Sequence, residues 1–190
     1  MIIKIDQRFM IFHLKALRFA AAVIGVPLCL FMFIPPATGQ GMSADAQQMQ
    51  KINEMYDWYK KWFFSGAQAI EVEELSELIE KGEAVLVDDR GEREQAVSML
   101  PGAITRKEFD RDREKYKDQK IVVYCTIGLR SGRYSQHLMK KGFDAYNLKG
   151  GILAWAHSGR KFVHESKETT RAHVYGRKWS LLPQGYEAVY

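Results

Sequence analysis

A chain of 190 residues, 46% apolar and 27% charged, has the length of one domain or little more and the balance of an ordinary folded protein. That excludes a disordered chain, a collagen-like fibre and a polytopic membrane protein, while two cysteines, Cys29 and Cys125, exclude a disulfide-rich scaffold or a four-thiolate zinc site. The net charge of +5 is uneven: of 28 basic and 23 acidic residues, four bases (Lys4, Arg8, Lys15, Arg18) and one acid (Asp6) fall in residues 1–39, leaving 24 and 22, a net of +2, which makes no case for nucleic-acid binding.

Residues 1–39 read as a signal peptide or membrane anchor. A basic start precedes the uncharged run of residues 19–34, and Pro35, Pro36, Ala37 and Gly39 follow as a small-residue cleavage region. The run is interrupted by Gly25 and Pro27 and falls short of the roughly 20 residues a spanning helix prefers. Cleaved or not, the basic flank stays in the cytoplasm and the rest crosses, which predicts an exported protein, periplasmic if bacterial. Cys29 is not a lipidation site, because Val26-Pro27-Leu28 lacks a small residue before it. Removal of the leader leaves Cys125 as a lone thiol, either buried and inert or reactive and retained for use.

Residues 40–67 read as a linker over 40–48 followed by an amphipathic helix over 49–64. Met49, Ile52, Met55, Tyr59, Trp62 and Phe63 recur at helical spacing. The helix docks on the domain, or its dense aromatics meet a membrane surface or partner. Membrane contact is therefore expected through residues 19–34 or 49–64.

From residue 70 the pattern alternates. Val72 to Glu80 is a helix with Leu75 and Leu78 inward, ended by Gly82, and Ala84 to Val87 a short strand. Arg90 to Ala96 is a helical turn, Leu100 to Ala103 a turn into another strand, and Asp110 to Lys117 a charged loop or helix. Ile121-Val122-Val123-Tyr124 is a β-favouring run without polar alternation, suited to a parallel strand covered on both faces. Ser131 to Lys141 is a helix with Gly142 past its end, Ala145 to Leu148 a strand and Ile152 to His157 a helix. This alternation predicts a doubly wound α/β domain, with ligands beyond the carboxyl ends of the strands.

Tyr124-Cys125-Thr126-Ile127-Gly128-Leu129-Arg130-Ser131 carries the chemistry. Cys125 ends a buried strand just before a helix N-terminus, where unpaired N–H groups and the helix dipole favour a thiolate. Gly128 permits positive φ, so that several N–H groups can converge on one anion. Arg130 adds a permanent charge. The bland reading of the same residues is a small buried cysteine at a strand end.

Three stretches together resemble a single-domain rhodanese of the small exported kind. They are Leu86-Val87-Asp88-Asp89-Arg90 through Glu94 to Leu100-Pro101-Gly102-Ala103, then Cys125-x-x-Gly128-x-Arg130-Ser131, then Gly142-Phe143 with Leu148-Lys149-Gly150-Gly151-Ile152-Leu153-Ala154-Trp155. The resemblance covers residues 68–160 and implies a mostly parallel five-stranded sheet flanked by helices. It also implies a sulfurtransferase in which Cys125 takes a sulfane sulfur from thiosulfate or a persulfide and yields it to a thiol or cyanide, with no metal or organic cofactor. Thr126, Ile127, Gly128, Leu129 and Arg130 would cradle the persulfide, and Asp88, Arg90, Ser131 and Trp155 would support them. The loop is one residue shorter than that of cysteine-dependent phosphatases of similar fold, which argues against phosphate chemistry. Met99 stands where many rhodaneses carry a His, and the uncharged Thr126-Ile127-Leu129 interior predicts a mediocre site for thiosulfate.

Asp88 and Arg90 are expected as a buried ion pair or cap, Trp155 as core, and Arg130 as either a donor contact or a loop tie. The histidines 137, 157, 164 and 173 lack metal-ligand spacing. Glu73-Glu74 and Glu92-Glu94 are expected on solvated faces. Residues 161–190 form a C-terminal extension: Thr169 to Tyr175 is expected as a strand paired in a hairpin with Trp179 to Leu182, covering a sheet edge or shaping the site mouth, with Tyr186 and Tyr190 packed on the domain. The competing functional reading is a non-catalytic rhodanese-like binding module acting through its N-terminal helix or C-terminal tail.

Overall fold

A computed structural model describes residues 41–190; the predicted leader and Cys29 lie outside the described residues. No helix among the described residues is long and apolar enough to cross a membrane.

The elements run α1 (Ala44–Phe63), β1 (Gln68–Ile70), α2 (Val72–Lys81), β2 (Ala84–Asp88), α3 (Glu92–Gln95), β3 (Ile104–Thr105), α4 (Arg106–Arg111), β4 (Lys120–Tyr124), α5 (Leu129–Lys140), β5 (Ala145–Leu148) and α6 (Gly151–His157). The five strands form one sheet in the order β1-β5-β4-β2-β3, and every pairing is parallel. The expected α/β architecture is therefore present, with β4 in the middle. The short strand β1 falls before the alternation read from the sequence.

The unbroken apolar run of β4 is divided between two cores. Val122 and Tyr124 face a cluster with Ile52, Leu75, Leu86, Leu148 and Ile152. Ile121 and Val123 face Phe109, Tyr134, Leu138 and Phe143. Both faces being covered, no polar residue alternates within the strand.

Helix α1 begins earlier than its apolar period indicates. Ser43 caps it, its Oγ accepting from the Ala46 N–H at 3.2 Å, so residues 44–48 are helix and not linker. Its inward face is Ile52, Tyr56 and Tyr59, with Phe64 buried just beyond its end. Trp62 and Phe63, expected inward, are 62% and 42% exposed, as is Trp58 at 54%. The helix thus docks through one narrow stripe and leaves an aromatic outer edge.

The extension departs from the expected hairpin. The hairpin present joins β6 (Phe162–His164) and β7 (Lys167–Thr169), through Glu165 and Ser166, both at positive φ (47° and 64°), as a tight turn between twisted strands demands. β8 (Arg171–His173) instead pairs in parallel with β9 (Glu187–Val189), and residues 179–182 form no strand. Leu181 and Leu182 are buried, and Pro183 supplies no N–H for a ladder at that point. The extension is fastened to the domain by Met99, whose N–H and C=O bond Val163 at 2.9 and 2.8 Å, and by the Ser98 hydroxyl donating to the Arg171 carbonyl at 2.6 Å. Tyr186 packs edge-on against Phe162, whereas Tyr190 is 55% exposed.

Candidate active site

Cys125 follows the last residue of the central strand, and Gly128 caps α5 at φ 103°. The tight turn brings the Gly128 N–H to 3.2 Å from Cys125 Sγ. The sequence predicts several N–H groups converging on the sulfur; the hydrogen bond present is this one, because the turn at Gly128 aims that amide back along the loop.

The loop is held from behind by α6. The Ile152 and Leu153 N–H groups donate to the carbonyls of Cys125 and Thr126 at 3.0 and 3.3 Å. These are first-turn donors with no partner in their own helix. The approach is so close that a Cβ on Gly151 would overlap the Cys125 carbonyl oxygen, whereas one on Gly150 would stand 2.7 Å from the Ala154 Cβ, so each of the paired glycines has its own steric cause.

Asn147 of β5 holds the loop from one side. Its Nδ2 donates to the Gly128 carbonyl at 2.9 Å and to the Tyr56 hydroxyl at 3.2 Å, and its Oδ1 accepts from Ser131 Oγ at 2.7 Å. Burial pushes the Tyr56 pKa up to about 12, so its hydroxyl stays neutral and available as an acceptor. A Cβ on Gly128 would stand 2.7 Å from the Tyr56 ring. Helix α1 is therefore part of the support of the loop.

Arg130 is a loop tie. Its Nη1 and Nη2 donate to the two carboxylate oxygens of Glu94 at 2.7 Å each, and Nη2 lies 3.3 Å from Thr126 Oγ1. Burial opposes its charge, but the Glu94 hydrogen bonds and the nearby Cys125, Glu94 and Asp89 raise its pKa, so it remains a cation. Glu94 is 4% exposed and not on a solvated face, a correction whose cause is this pairing together with the Gly91 N–H donated to it at 2.9 Å. Glu73, Glu74 and Glu92 are exposed as expected.

Asp88 and Arg90 form the expected buried pair, Nη2 to Oδ2 at 2.7 Å with both side chains fully enclosed. The Tyr124 hydroxyl donates to Asp88 Oδ2 at 2.7 Å and accepts from the Leu100 N–H at 3.1 Å. Asp88 thus anchors the strand end immediately before Cys125 without reaching the sulfur. Trp155 is core, its indole N–H donating to the Lys161 carbonyl at 2.9 Å, and it does not line the site. No group of His, Cys, Asp or Glu among the described residues has a metal-holding arrangement.

Cys125 is 1% exposed and lies at one wall of a pocket of about 210 Å³. Thr126, Ile127, Leu129 and Arg130 line its domain side. Tyr175 and Trp179 of the extension complete the lining. The residues that sequence reasoning missed are Glu94, Asn147, Tyr56, Tyr175 and Trp179. An arginine in an otherwise apolar loop calls for a counter-ion, and an asparagine in a buried strand calls for partners, so two of the five had a signal.

Residues 71–158 match the family model described as Rhodanese-like domain. A sulfurtransferase from Allochromatium vinosum is 37% identical over 99 residues, 50% of this chain and 92% of that protein. A tRNA uridine(34) hydroxylase from Acinetobacter baylyi is 35% identical over 144 residues, 60% of this chain and 45% of that protein. The chain spans less than half the length of the hydroxylases it matches. The crystal structure of a rhodanese-related protein from Thermoplasma volcanium superposes with a TM-score of 0.45 at 26% identity, covering 52% of this chain and 99% of that one.

Proposed function

The chain belongs to the rhodanese family, and we propose from that premise that it is a sulfurtransferase working through a persulfide on Cys125. The observation that carries the reading is the sulfur itself, beside a pocket with the Gly128 N–H 3.2 Å away. The relative that the chain spans almost entirely is named a sulfurtransferase, which favours this chemistry over that of the longer hydroxylases.

The Cys125 thiolate attacks the outer sulfur of the donor. With thiosulfate the S–S bond breaks, its electron pair leaves on sulfite, and an S–S bond forms at Cys125. With a persulfide the leaving group is the thiolate. The Gly128 N–H, 3.2 Å from Sγ, stabilises the thiolate that attacks the donor and that leaves again when the outer sulfur is taken, and its fixed orientation needs no reorganisation as charge develops there. Cyanide or a thiolate then attacks that outer sulfur and restores the Cys125 thiolate. Glu94 keeps Arg130 in place, and Arg130 keeps the mouth of the loop fixed.

Intact-mass spectrometry before and after incubation with thiosulfate, and thiocyanate formation with cyanide, test the reading. One added sulfur on the unaltered protein and none on Cys125→Ser is the expected result. Equal turnover by both proteins overturns it, and no added sulfur from any donor favours the binding-module reading. The pattern of residues 1–39 supports an exported domain, periplasmic if bacterial or anchored in the membrane outside the cytoplasm, and the mass of the exported form tests whether that segment is removed.

A further inference from the structure

The pocket beside Cys125 is lined in part by two aromatic residues that lie outside the matched family span of residues 71–158. Tyr175 and Trp179 meet edge to face, with centroids 5.3 Å apart at 76°. They are held by a frame of their own. Val174, next to Tyr175, is fully buried, and its N–H donates to the Val189 carbonyl at 3.0 Å. Tyr175 itself sits at φ 64°, a conformation that a bulky residue adopts only where its surroundings impose it. Its N–H donates to His173 Nδ1 at 3.0 Å. The residue is nevertheless 60% exposed, so burial of the tyrosine does not account for the strained backbone.

Ile127 and Leu129 add further apolar lining. Arg130 is the one charged residue of the lining. Its two Nη atoms are already bound to Glu94, and its guanidinium stands 5.2 Å from the Tyr175 ring centroid. A dianion such as thiosulfate would leave water for a largely apolar pocket whose cation is already neutralised, which is unfavourable. An uncharged organic group on the sulfur carrier would instead bury its surface between the rings and the loop.

We propose that Tyr175 and Trp179 form a subsite for the organic part of the sulfur carrier, so that the chain selects aryl or other apolar thiosulfonates, persulfides and thiols over inorganic thiosulfate. This rests on sulfur transfer at Cys125 and adds the class of substrate. Transfer follows the same balance: Cys125 thiolate takes the outer sulfur, and the organic sulfinate or thiolate leaves with the electron pair of the broken S–S bond.

Benzenethiosulfonate and methanethiosulfonate carry the same charge, so their comparison removes charge as a variable, comparison with the substituted proteins cancels the difference between their leaving groups, and thiosulfate adds the effect of charge. With cyanide as the common acceptor, kcat/KM is expected to favour the benzene compound over the methane compound by about tenfold, the value of one well-placed aromatic contact. Tyr175→Gly, which suits the positive φ, and Trp179→Leu each reduce that ratio toward one. Equal use of the two thiosulfonates by the unaltered protein, or a preference that survives both substitutions, overturns the proposal. A second arm needs no sulfur transfer: the full chain is alkylated with iodoacetamide or its N-benzyl derivative, and the rate at Cys125 is read by peptide mapping. If the benzyl reagent is favoured through Tyr175 and Trp179 while no donor leaves sulfur on Cys125, the subsite stands and the sulfurtransferase reading falls. If sulfur is transferred without any aryl preference, the subsite falls and the sulfurtransferase reading stands.

Discussion

Glu94 holds the guanidinium of Arg130 with both carboxylate oxygens, at 2.7 Å each. The pair spans from α3 to the first turn of α5, so it ties the residue after the β2 strand region to the loop around Cys125. Burial raises the pKa of Glu94, but the hydrogen bonds from Arg130 and Gly91 and the charges of Arg130 and Arg90 outweigh it and hold the carboxyl below its usual range. A group with a depressed folded pKa contributes stability that is present above its unfolded value, about 4.3, and lost as pH falls through the folded value. Glu94→Gln is expected to cost about 2 kcal/mol near neutral pH, less than a fully buried pair because Arg130 is partly exposed. In denaturant titrations the deficit should shrink through the acid range below the ordinary carboxylate pKa. A deficit that is constant across pH would count against the pairing as its source.

Gly151→Ala should damage the site more than its size suggests. The residue lies at φ 56°, and its new Cβ would overlap the Cys125 carbonyl oxygen and stand 2.8 Å from Thr126 C and O. Backbone strain alone costs about 1–3 kcal/mol, and the loop must also shift. Gly142→Ala is the control, since it too has positive φ (84°) but nothing within 4 Å of its Cβ. Thermal melts should show a larger loss for position 151, and sulfur loading of Cys125 should fall only there. Equal losses at the two positions would mean that strain alone, and not the contact with the loop, sets the effect.

Asn147→Ala removes the group that fixes the Gly128 carbonyl, 19 residues away in sequence. The Ser131 hydroxyl would lose its acceptor in a buried place, and the Gly128 carbonyl would keep only the Gly132 N–H, at 3.0 Å, a loss of about 1–3 kcal/mol. The Gly128 N–H, on the other side of the same residue, loses its fixed aim at Cys125 Sγ. Turnover is expected to fall with little change in the donor KM, because the pocket walls are untouched. Tyr56→Phe removes one acceptor of the same amide and should cost about 1 kcal/mol or less. A raised KM with unchanged kcat in Asn147→Ala would show that the residue shapes the pocket instead.

What was legible in the sequence is local in the chain. The buried strand Ile121 to Tyr124, the loop from Cys125 to Ser131, and Gly82 as a helix stop each depend on neighbours a few residues apart. The pair Asp88–Arg90 was legible for the same reason, being two residues apart. Glu94 and Arg130 are 36 residues apart, and Tyr56 and Asn147 are 91 apart; their partnership is made by the parallel crossovers of the sheet, which no spacing along the chain displays. Trp62 and Phe63 fit the helical period as well as Ile52 and Tyr59 do, but only one stripe of α1 meets the domain. The extension was misread because alternation predicts strands without predicting partners. Two residues at positive φ placed the turn at Glu165 and Ser166, neither of which is a glycine or asparagine that would announce it.

Asp88→Ala should be the most destabilising of the substitutions considered, without altering how the donor binds. Both charged side chains of the Asp88–Arg90 pair are fully enclosed, and removing one partner of a buried pair costs about 3–5 kcal/mol because the other charge is stranded. The Tyr124 hydroxyl, which donates to Asp88 at 2.7 Å, loses its acceptor at the same time. Replacing Asp88 and Arg90 together, as Asp88→Ala with Arg90→Leu, should cost less than the sum of the two single changes, since neither charge remains unpaired. Denaturant midpoints of the four proteins measure that coupling directly. The folded fraction of Asp88→Ala should keep the donor KM of the unaltered protein, because Asp88 reaches Cys125 only through the end of β4. A KM change as large as the stability change would place Asp88 in contact with the donor and remove it from the support of the strand.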